Sequence, residues 1–192
     1  MQSELTTYLI LKRISEFFVA LFLLFILLPF IIIVLVVVFI DTGRNPIFLQ
    51  ERSLSLKGRR FKLFKFRTLK ENLTSFESKS NQILSKRENG NSVSQIGSFL
   101  RKSGLDELPQ LLNILKGDMS FVGPRPLAIS ELEKIEKLFP ELSEKRSKLK
   151  SKAGITGLWQ VNKDDDFSIS HLIKWIVFMR KKNLFFLIYT LF

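Results

Sequence analysis

The chain has 192 residues, a formal net charge of +12 and no cysteine. Without cysteine it can form neither disulfides nor thiolate metal sites. A protein this basic is expected to bind nucleic acid, anionic lipid or a phosphorylated substrate, because each of these carries negative charge.

An apolar segment covers residues 17–40 and contains one proline, Pro29. A helix of this length measures about 36 Å, which exceeds the roughly 30 Å core of a bilayer. The segment can therefore span a membrane. Pro29 removes a backbone donor and clashes with the preceding turn, so the alternative is two half-length helices that enter and leave the same leaflet.

The charges beside this segment bear on that choice. Lys12 and Arg13 precede it, and Arg44 follows it. Positive residues prefer the cytoplasmic side of a membrane, so cations at both ends fit a hairpin whose two ends are cytoplasmic. These residues alone are also compatible with a kinked helix that spans the membrane.

The remaining sequence is predicted to form one cytosolic domain, residues 42–192, behind an anchor of residues 1–41. From residue 41 onward the chain has 28 Lys and Arg against 16 Asp and Glu, so this part carries the whole net charge. A basic domain on a membrane anchor favours lipid and phosphate as partners over nucleic acid. Residues 73–94 are polar and rich in Ser, Asn and Gln, which predicts a mobile loop.

A β-hairpin is predicted over residues 47–69, because apolar and polar residues alternate in part on either side of a Lys-Gly turn at 57–58. Its second strand would place Lys65 and Arg67 on the same face. Those two cations can lie against lipid headgroups, or they can point into a site that binds a diphosphate.

Two short helices are predicted next. Ser94 is a suitable N-cap for the first, and Gly104 a suitable residue to end it. Pro109 suits the first turn of the second helix, which would continue to Lys116 and end at Gly117.

Asp106 and Glu107 then lie at or just before the N-terminus of the second helix. The helix dipole and the free backbone donors there favour their charged forms. An ionised carboxylate with cations nearby can act as a nucleophile or a metal ligand, although acidic residues are also common as plain caps. Downstream, the turn Gly123-Pro124-Arg125-Pro126 presents one guanidinium that can bind phosphate oxygens bidentately, or simply face solvent.

The later segments carry weaker signals. The helix predicted over residues 130–139 and the basic stretch 145–152 are expected to face solvent or headgroups. Apolar residues at helical spacing after residue 171 predict an amphipathic core or interfacial helix. His171, the single histidine, is expected to be structural or exposed.

Together these motifs identify a family. The chain resembles the monotopic phosphoglycosyl transferases, also called bacterial sugar transferases. The matching segments, in the family's order, are KRISEFFVALFLLFILLPF (12–30), FLQERSLSLKGRRFKLFKFRTL (48–69), LRKSGLDELPQLLNILKGDMSFVGPRPL (100–127) and AGITGLWQVN (153–162). The resemblance implies a mostly helical α+β fold. It would have a re-entrant membrane helix that bends at Leu28 and Pro29, and a small basic domain with a short hairpin and interfacial amphipathic helices.

The resemblance also implies an activity at the cytoplasmic face of the inner membrane. Such enzymes move a sugar phosphate from a nucleotide diphosphate sugar, usually a UDP-sugar, to polyprenol phosphate, and so start a cell-surface glycan or exopolysaccharide. They use Mg²⁺ and an Asp-Glu pair. Asp106 matches the nucleophile, which forms a covalent phosphosugar intermediate and helps bind the metal, and Glu107 matches its catalytic neighbour. The resemblance also allows a homodimer. The implied substrate-binding residues are Lys65, Arg67, Arg101, Pro124, Arg125 and Gln160.

Three departures from the family pattern stand out. Leu28 replaces a serine before the bending proline, and Lys152-Ala153 replaces Arg-Pro. Ile176 lies where relatives have an aspartate. A weakly active or inactive member that serves as a membrane-bound binding or assembly partner is therefore the alternative function.

Overall fold

The computed structural model describes residues 2–70, 93–149 and 151–157. The fold is α+β and mostly helical, as predicted. A short 3-10 helix, Leu105–Gln110, precedes α3. The other elements, in chain order, are α1 (Gln2–Thr42), β1 (Ile47–Ser53), β2 (Phe61–Phe66), α2 (Gln95–Ser103), α3 (Leu111–Lys116), β3 (Met119–Val122), β4 (Leu127–Ala128), α4 (Ile129–Leu138), α5 (Pro140–Ser147) and β5 (Ala153–Thr156).

The long helix α1 is apolar enough between Thr7 and Thr42 to cross a membrane. One stripe of it is buried at helical spacing and includes Ala20, Val34 and Val38. The opposite side exposes large apolar side chains, which suits a helix with protein on one side and lipid on the other. The most exposed of these are Leu11, Phe18, Phe22, Phe25, Ile33 and Ile40.

Pro29 lies inside α1 rather than between two helices, because the helix is continuous from Gln2 to Thr42. The structure therefore does not show the two separate half-length helices that were the alternative to a single spanning helix. Proline removes one hydrogen bond of the helical ladder, and the neighbouring bonds suffice to keep the element whole. A bend at Leu28 and Pro29 stays a prediction.

The predicted hairpin is confirmed. Strands β1 and β2 pair antiparallel, with Phe48 opposite Lys65, and β4 extends this sheet on the other side of β1. Leu63 and Phe66, three residues apart on β2, are both buried. Each packs into a different apolar cluster, so both faces of this short sheet are covered.

Those two clusters join the anchor to the domain. Ala20 packs with Leu63 and Ile114 in the first cluster, on the N-terminal side of Pro29. Val38 packs with Phe66 in the second, on its C-terminal side. Both halves of α1 therefore contribute side chains to the core, and burying one the size of Val38 stabilises a fold by about 1.5–3 kcal/mol.

The first predicted helix is confirmed as α2, with Ser94 as its N-cap and Gly104 ending it at φ 74°. The second differs from the prediction, because residues 105–110 form a 3-10 helix before α3 begins. Pro109 has no N–H to donate to the carbonyl of residue 105, so the α-helical bond is unavailable there. Gly117 ends α3 as predicted.

Candidate active site

Lys65 and the Asp106-Glu107 pair lie together where β2 contacts the 3-10 helix. The Lys65 Nζ atom is 2.7 Å from Glu107 Oε1 and 3.7 Å from Asp106 Oδ2. All three side chains are at least half-buried, so the cation offsets part of the repulsion between the carboxylates. The hairpin cation and the acidic pair, separated by some 40 residues, thus form one cluster.

Asp106 is buried, with 9% of its surface exposed. Desolvation raises the pKa of its carboxyl above the usual range, and Glu107 adds to that rise, while Lys65 and Arg101 oppose it. The sequence led us to expect the charged form to be favoured. Burial of Asp106 acts in the opposite direction to the helix dipole and backbone donors, and it has the larger effect on this pKa.

Two predicted substrate-binding arginines, Arg101 and Arg67, make different contacts. Arg101 donates a 2.7 Å hydrogen bond from Nε to the Thr68 hydroxyl, and its charge acts on Asp106. Arg67 turns toward the start of β1, where its Nε donates to the carbonyl of Asn45 at 2.7 Å. Lys65, in β2, and Arg67, one residue after that strand, therefore have separate surroundings. A role for Arg67 in substrate binding stays a prediction.

The proline-rich turn, residues 123–126, lies on the other side of the cavity from Lys65 and Glu107. The carbonyl of Pro124 accepts a 3.1 Å hydrogen bond from the N–H of Gly154. A Cβ atom at Gly154 would lie 2.1 Å from the backbone nitrogen of Gly123, so the turn and β5 can approach this closely only with glycine there. The cavity between turn, β2 and 3-10 helix is lined by Arg52, Leu63, Lys65, Glu107, Gln110, Arg125, Pro126, Gly154 and Ile155.

Arg146 supports that turn from behind. It is 2% exposed, and burial lowers its pKa to about 10, which leaves it charged at neutral pH. Its guanidinium donates to the carbonyls of Leu54 and Arg125, each at 2.8 Å. The expectation that the basic stretch 145–152 faces solvent or headgroups is wrong at this position. The signal was present, because Leu142 and Arg146 are four residues apart and share the buried face of α5.

The sequence analysis did not predict two further residues that line the cavity, Arg52 and Gln110. Arg52 forms an ion pair of 3.0 Å with Glu131 at the start of α4. Gln110 ends the 3-10 helix and is 3% exposed. Its spacing of four residues from Asp106 was a signal that could have found it.

Several predicted features lie outside the described residues. They are Gln160, all but the last two residues of the loop predicted over 73–94, His171, Ile176 and the predicted C-terminal helix. Within the described ranges, no group of three or more His, Cys, Asp and Glu side chains could hold a metal ion. Asp106 remains the predicted metal ligand.

Comparison with known proteins identifies the family. The sequence model of the family described as bacterial sugar transferase matches residues 7–190. The chain belongs to the bacterial sugar transferase family. It is 39% identical over 168 residues to the exopolysaccharide production protein ExoY of Sinorhizobium fredii, an alignment that covers 82% of this chain and 71% of that protein.

Two other relatives carry more specific names. The chain is 35% identical over 175 residues to the UDP-galactose-lipid carrier transferase of Erwinia amylovora, covering 82% of this chain and 34% of the relative. It is 40% identical over 118 residues to the UDP-glucose:undecaprenyl-phosphate glucose-1-phosphate transferase of Xanthomonas campestris pv. campestris, covering 62% and 23%. The chain thus spans about a third or less of these two relatives.

Proposed function

We propose that this protein is a membrane-anchored phosphoglycosyl transferase that starts exopolysaccharide synthesis. It would move a sugar phosphate from a UDP-sugar to polyprenol phosphate. The observation that carries the proposal is the convergence of Lys65, Glu107 and Arg125 around one cavity in a member of this family. Asp106 lies beside that cavity, 3.7 Å from the Lys65 Nζ atom. The names of the relatives support the donor and acceptor classes.

The proposed reaction has two displacements at one phosphorus atom. A carboxylate oxygen of Asp106 attacks the phosphorus that carries the sugar, and the bond to the bridging oxygen breaks, which releases UMP. An oxygen of polyprenol phosphate then attacks the same phosphorus and frees Asp106, which gives polyprenyl diphosphate sugar. Lys65 and Arg125 would offset the repulsion between the diphosphate and the carboxylates, because phosphoryl transfer depends mainly on positioning and charge neutralisation.

The donor atoms at this site fit Mg²⁺. Mg²⁺ prefers oxygen ligands and is usually held by one or two carboxylates together with substrate phosphates. Asp106 and Glu107 are adjacent carboxylates in one cluster, and would hold the ion with the diphosphate. When bound, the ion supplies positive charge that Lys65 alone does not provide.

A re-entrant topology at the cytoplasmic face is part of the proposal. Arg13, before the apolar segment, donates hydrogen bonds to the carbonyls of Ile114 and Leu115 at the end of α3. Asp41, after it, forms an ion pair of 3.7 Å with Lys70. The contacts of both flanks with one domain support a re-entrant helix that bends at Pro29 and returns to its starting side, rather than a span.

The test uses the full chain purified in lipid nanodiscs with polyprenol phosphate and Mg²⁺. Release of UMP from UDP-glucose or UDP-galactose is expected, and EDTA should abolish it until Mg²⁺ is added in excess. Donor alone should yield a phosphosugar adduct on Asp106 by intact-protein mass spectrometry. A protein that binds the donor but releases no UMP would instead support the alternative, an inactive binding or assembly partner, which the departures at Lys152 and Ile176 motivate.

A further inference from the structure

Gln110 is a buried amide in the proposed active site. It is 3% exposed, and it lines the cavity together with Lys65, Glu107 and Arg125. Across residues 2–70, 93–149 and 151–157, no hydrogen bond is made by its carboxamide. A buried polar group without a partner lowers stability, and nearly all such groups in native proteins are paired. Gln110 therefore has capacity for a donor and an acceptor contact inside the cavity.

Asn113, three residues further on, shows what a structural amide looks like in this fold. It is fully buried. Its Nδ2 donates to the carbonyl of Lys62 at 2.7 Å, and its Oδ1 accepts from the N–H of Phe64 at 3.1 Å. Both ends of that amide are used to hold β2 against α3. The contrast separates an amide that builds the fold from one that is left facing the cavity.

We propose that Gln110 binds the transferred sugar of the donor, through hydrogen bonds between its carboxamide and a hydroxyl or amide substituent of the ring. The inference rests on the proposed function, and it names a contact that sets the protein's preference among sugars. A neutral group that both donates and accepts matches a neutral sugar substituent. The cations Lys65 and Arg125 match the diphosphate instead.

The position of Gln110 favours a contact with the sugar of the donor over a contact with its nucleoside. Residues three apart on a 3-10 helix are eclipsed, so Gln110 follows Glu107 on the same side, one turn beyond the carboxylates. The group attached to the phosphorus that Asp106 would attack is the sugar. The nucleoside lies at the far end of the diphosphate and is therefore the more distant group.

The first test measures the unliganded protein by thermal unfolding. Gln110→Met keeps the shape of the side chain and removes the unpartnered amide, so its Tm should equal or exceed that of the wild type. Asn113→Leu is the matched control, and should lower Tm because two backbone groups of β2 lose their partner. If Gln110→Met also lowers Tm or fails to fold, the amide is structural and the inference is overturned.

The second test measures binding by calorimetry in an Asp106→Asn background, which prevents turnover. The ligands are UDP and whichever of UDP-glucose and UDP-galactose binds more tightly. Gln110→Met should weaken binding of the UDP-sugar about 3- to 10-fold, the usual effect of a lost neutral hydrogen bond, and leave UDP binding unchanged. Equal losses for both ligands, or no loss for either, would reject a sugar contact.

The outcome also separates this inference from the function on which it rests. If the wild type neither binds nor transfers either UDP-sugar, the proposed function fails. If the wild type does both and Gln110→Met behaves identically, only the role of Gln110 fails.

Discussion

The guanidinium of Arg146 donates a 2.8 Å hydrogen bond to the carbonyl oxygen of Arg125. One buried cation thus fixes the backbone from which another cation reaches the proposed site. The same guanidinium also holds the carbonyl of Leu54, which follows β1. This single side chain joins α5, the β2-β1-β4 sheet and the proline-rich turn. A substitution of Arg146 should therefore alter the position of Arg125 through the backbone.

Arg146→Met should therefore lower both stability and donor binding. It leaves two buried carbonyls without a donor, and hydrogen bonds to a charged group contribute about 1.5–3 kcal/mol each. We expect a loss of about 3–6 kcal/mol in the free energy of unfolding, measured with urea. Lys148→Met, on an exposed residue of the same basic stretch, is the control and should change little. An Arg146→Met protein as stable as the wild type would contradict the role assigned to these two hydrogen bonds.

Asp106→Asn should abolish turnover and yet stabilise the unliganded protein at neutral pH. Because the pKa of Asp106 is raised in the folded state, its ionised form costs stability above that pKa, and the cost disappears as pH falls through it. Asparagine carries no such cost. In EDTA, the Tm of the variant should exceed that of the wild type at pH 7, and the difference should shrink toward pH 4. A lower Tm for the variant at pH 7 would contradict desolvation as the dominant effect.

Lys65→Met should reduce kcat/KM for the UDP-sugar by about 100-fold or more, the usual cost of removing a charged stabilising group from such a site. The same change removes the cation that lowers the pKa of Asp106, so the rise of activity with pH should move to higher pH. Lys62→Met is the matched control, because Lys62 is an exposed lysine of the same strand. Similar losses in the two variants would indicate that the strand, and not the contact with the carboxylates, is responsible.

The topology can be tested with single cysteines, because the chain has none of its own. Gln2→Cys and Lys102→Cys should both react with a membrane-impermeant maleimide only from the cytoplasmic side. Inverted and right-side-out vesicles provide the two directions of access. Reaction of position 2 from outside, with position 102 reacting from inside, would establish a span.

The elements that the sequence predicted correctly depend on local signals. The hairpin follows from its alternation and its Lys-Gly turn, and α2 from the caps Ser94 and Gly104. The family motif indicated the acidic pair and Lys65 before any geometry was known. These features could be read because a few neighbouring residues determine them.

The features that were missed depend on residues distant in the chain. Arg146 lies in a basic run, and its spacing of four residues from Leu142 was a weak local signal. Its contacts with Leu54 and Arg125 could be seen only in the folded protein. The raised pKa of Asp106 likewise comes from burial by other elements, while its helical context was altered by Pro109. Gln110 had a helical spacing from Asp106, but its lack of a partner could be seen only in the folded protein.

The packing of α1 has a practical consequence for isolating the enzyme. Ala20 is fully buried against Leu63 and Ile114, close to the strand that carries Lys65. Deleting the anchor to obtain a water-soluble fragment would thus open the hydrophobic interior beneath the proposed site. A detergent that disturbs α1 would have the same effect to a smaller degree, so the choice of solubilising medium becomes a variable in every activity measurement. Helix α1 is thus part of the folded core as well as the proposed anchor, and the lipid around it is expected to affect the proposed catalytic residues.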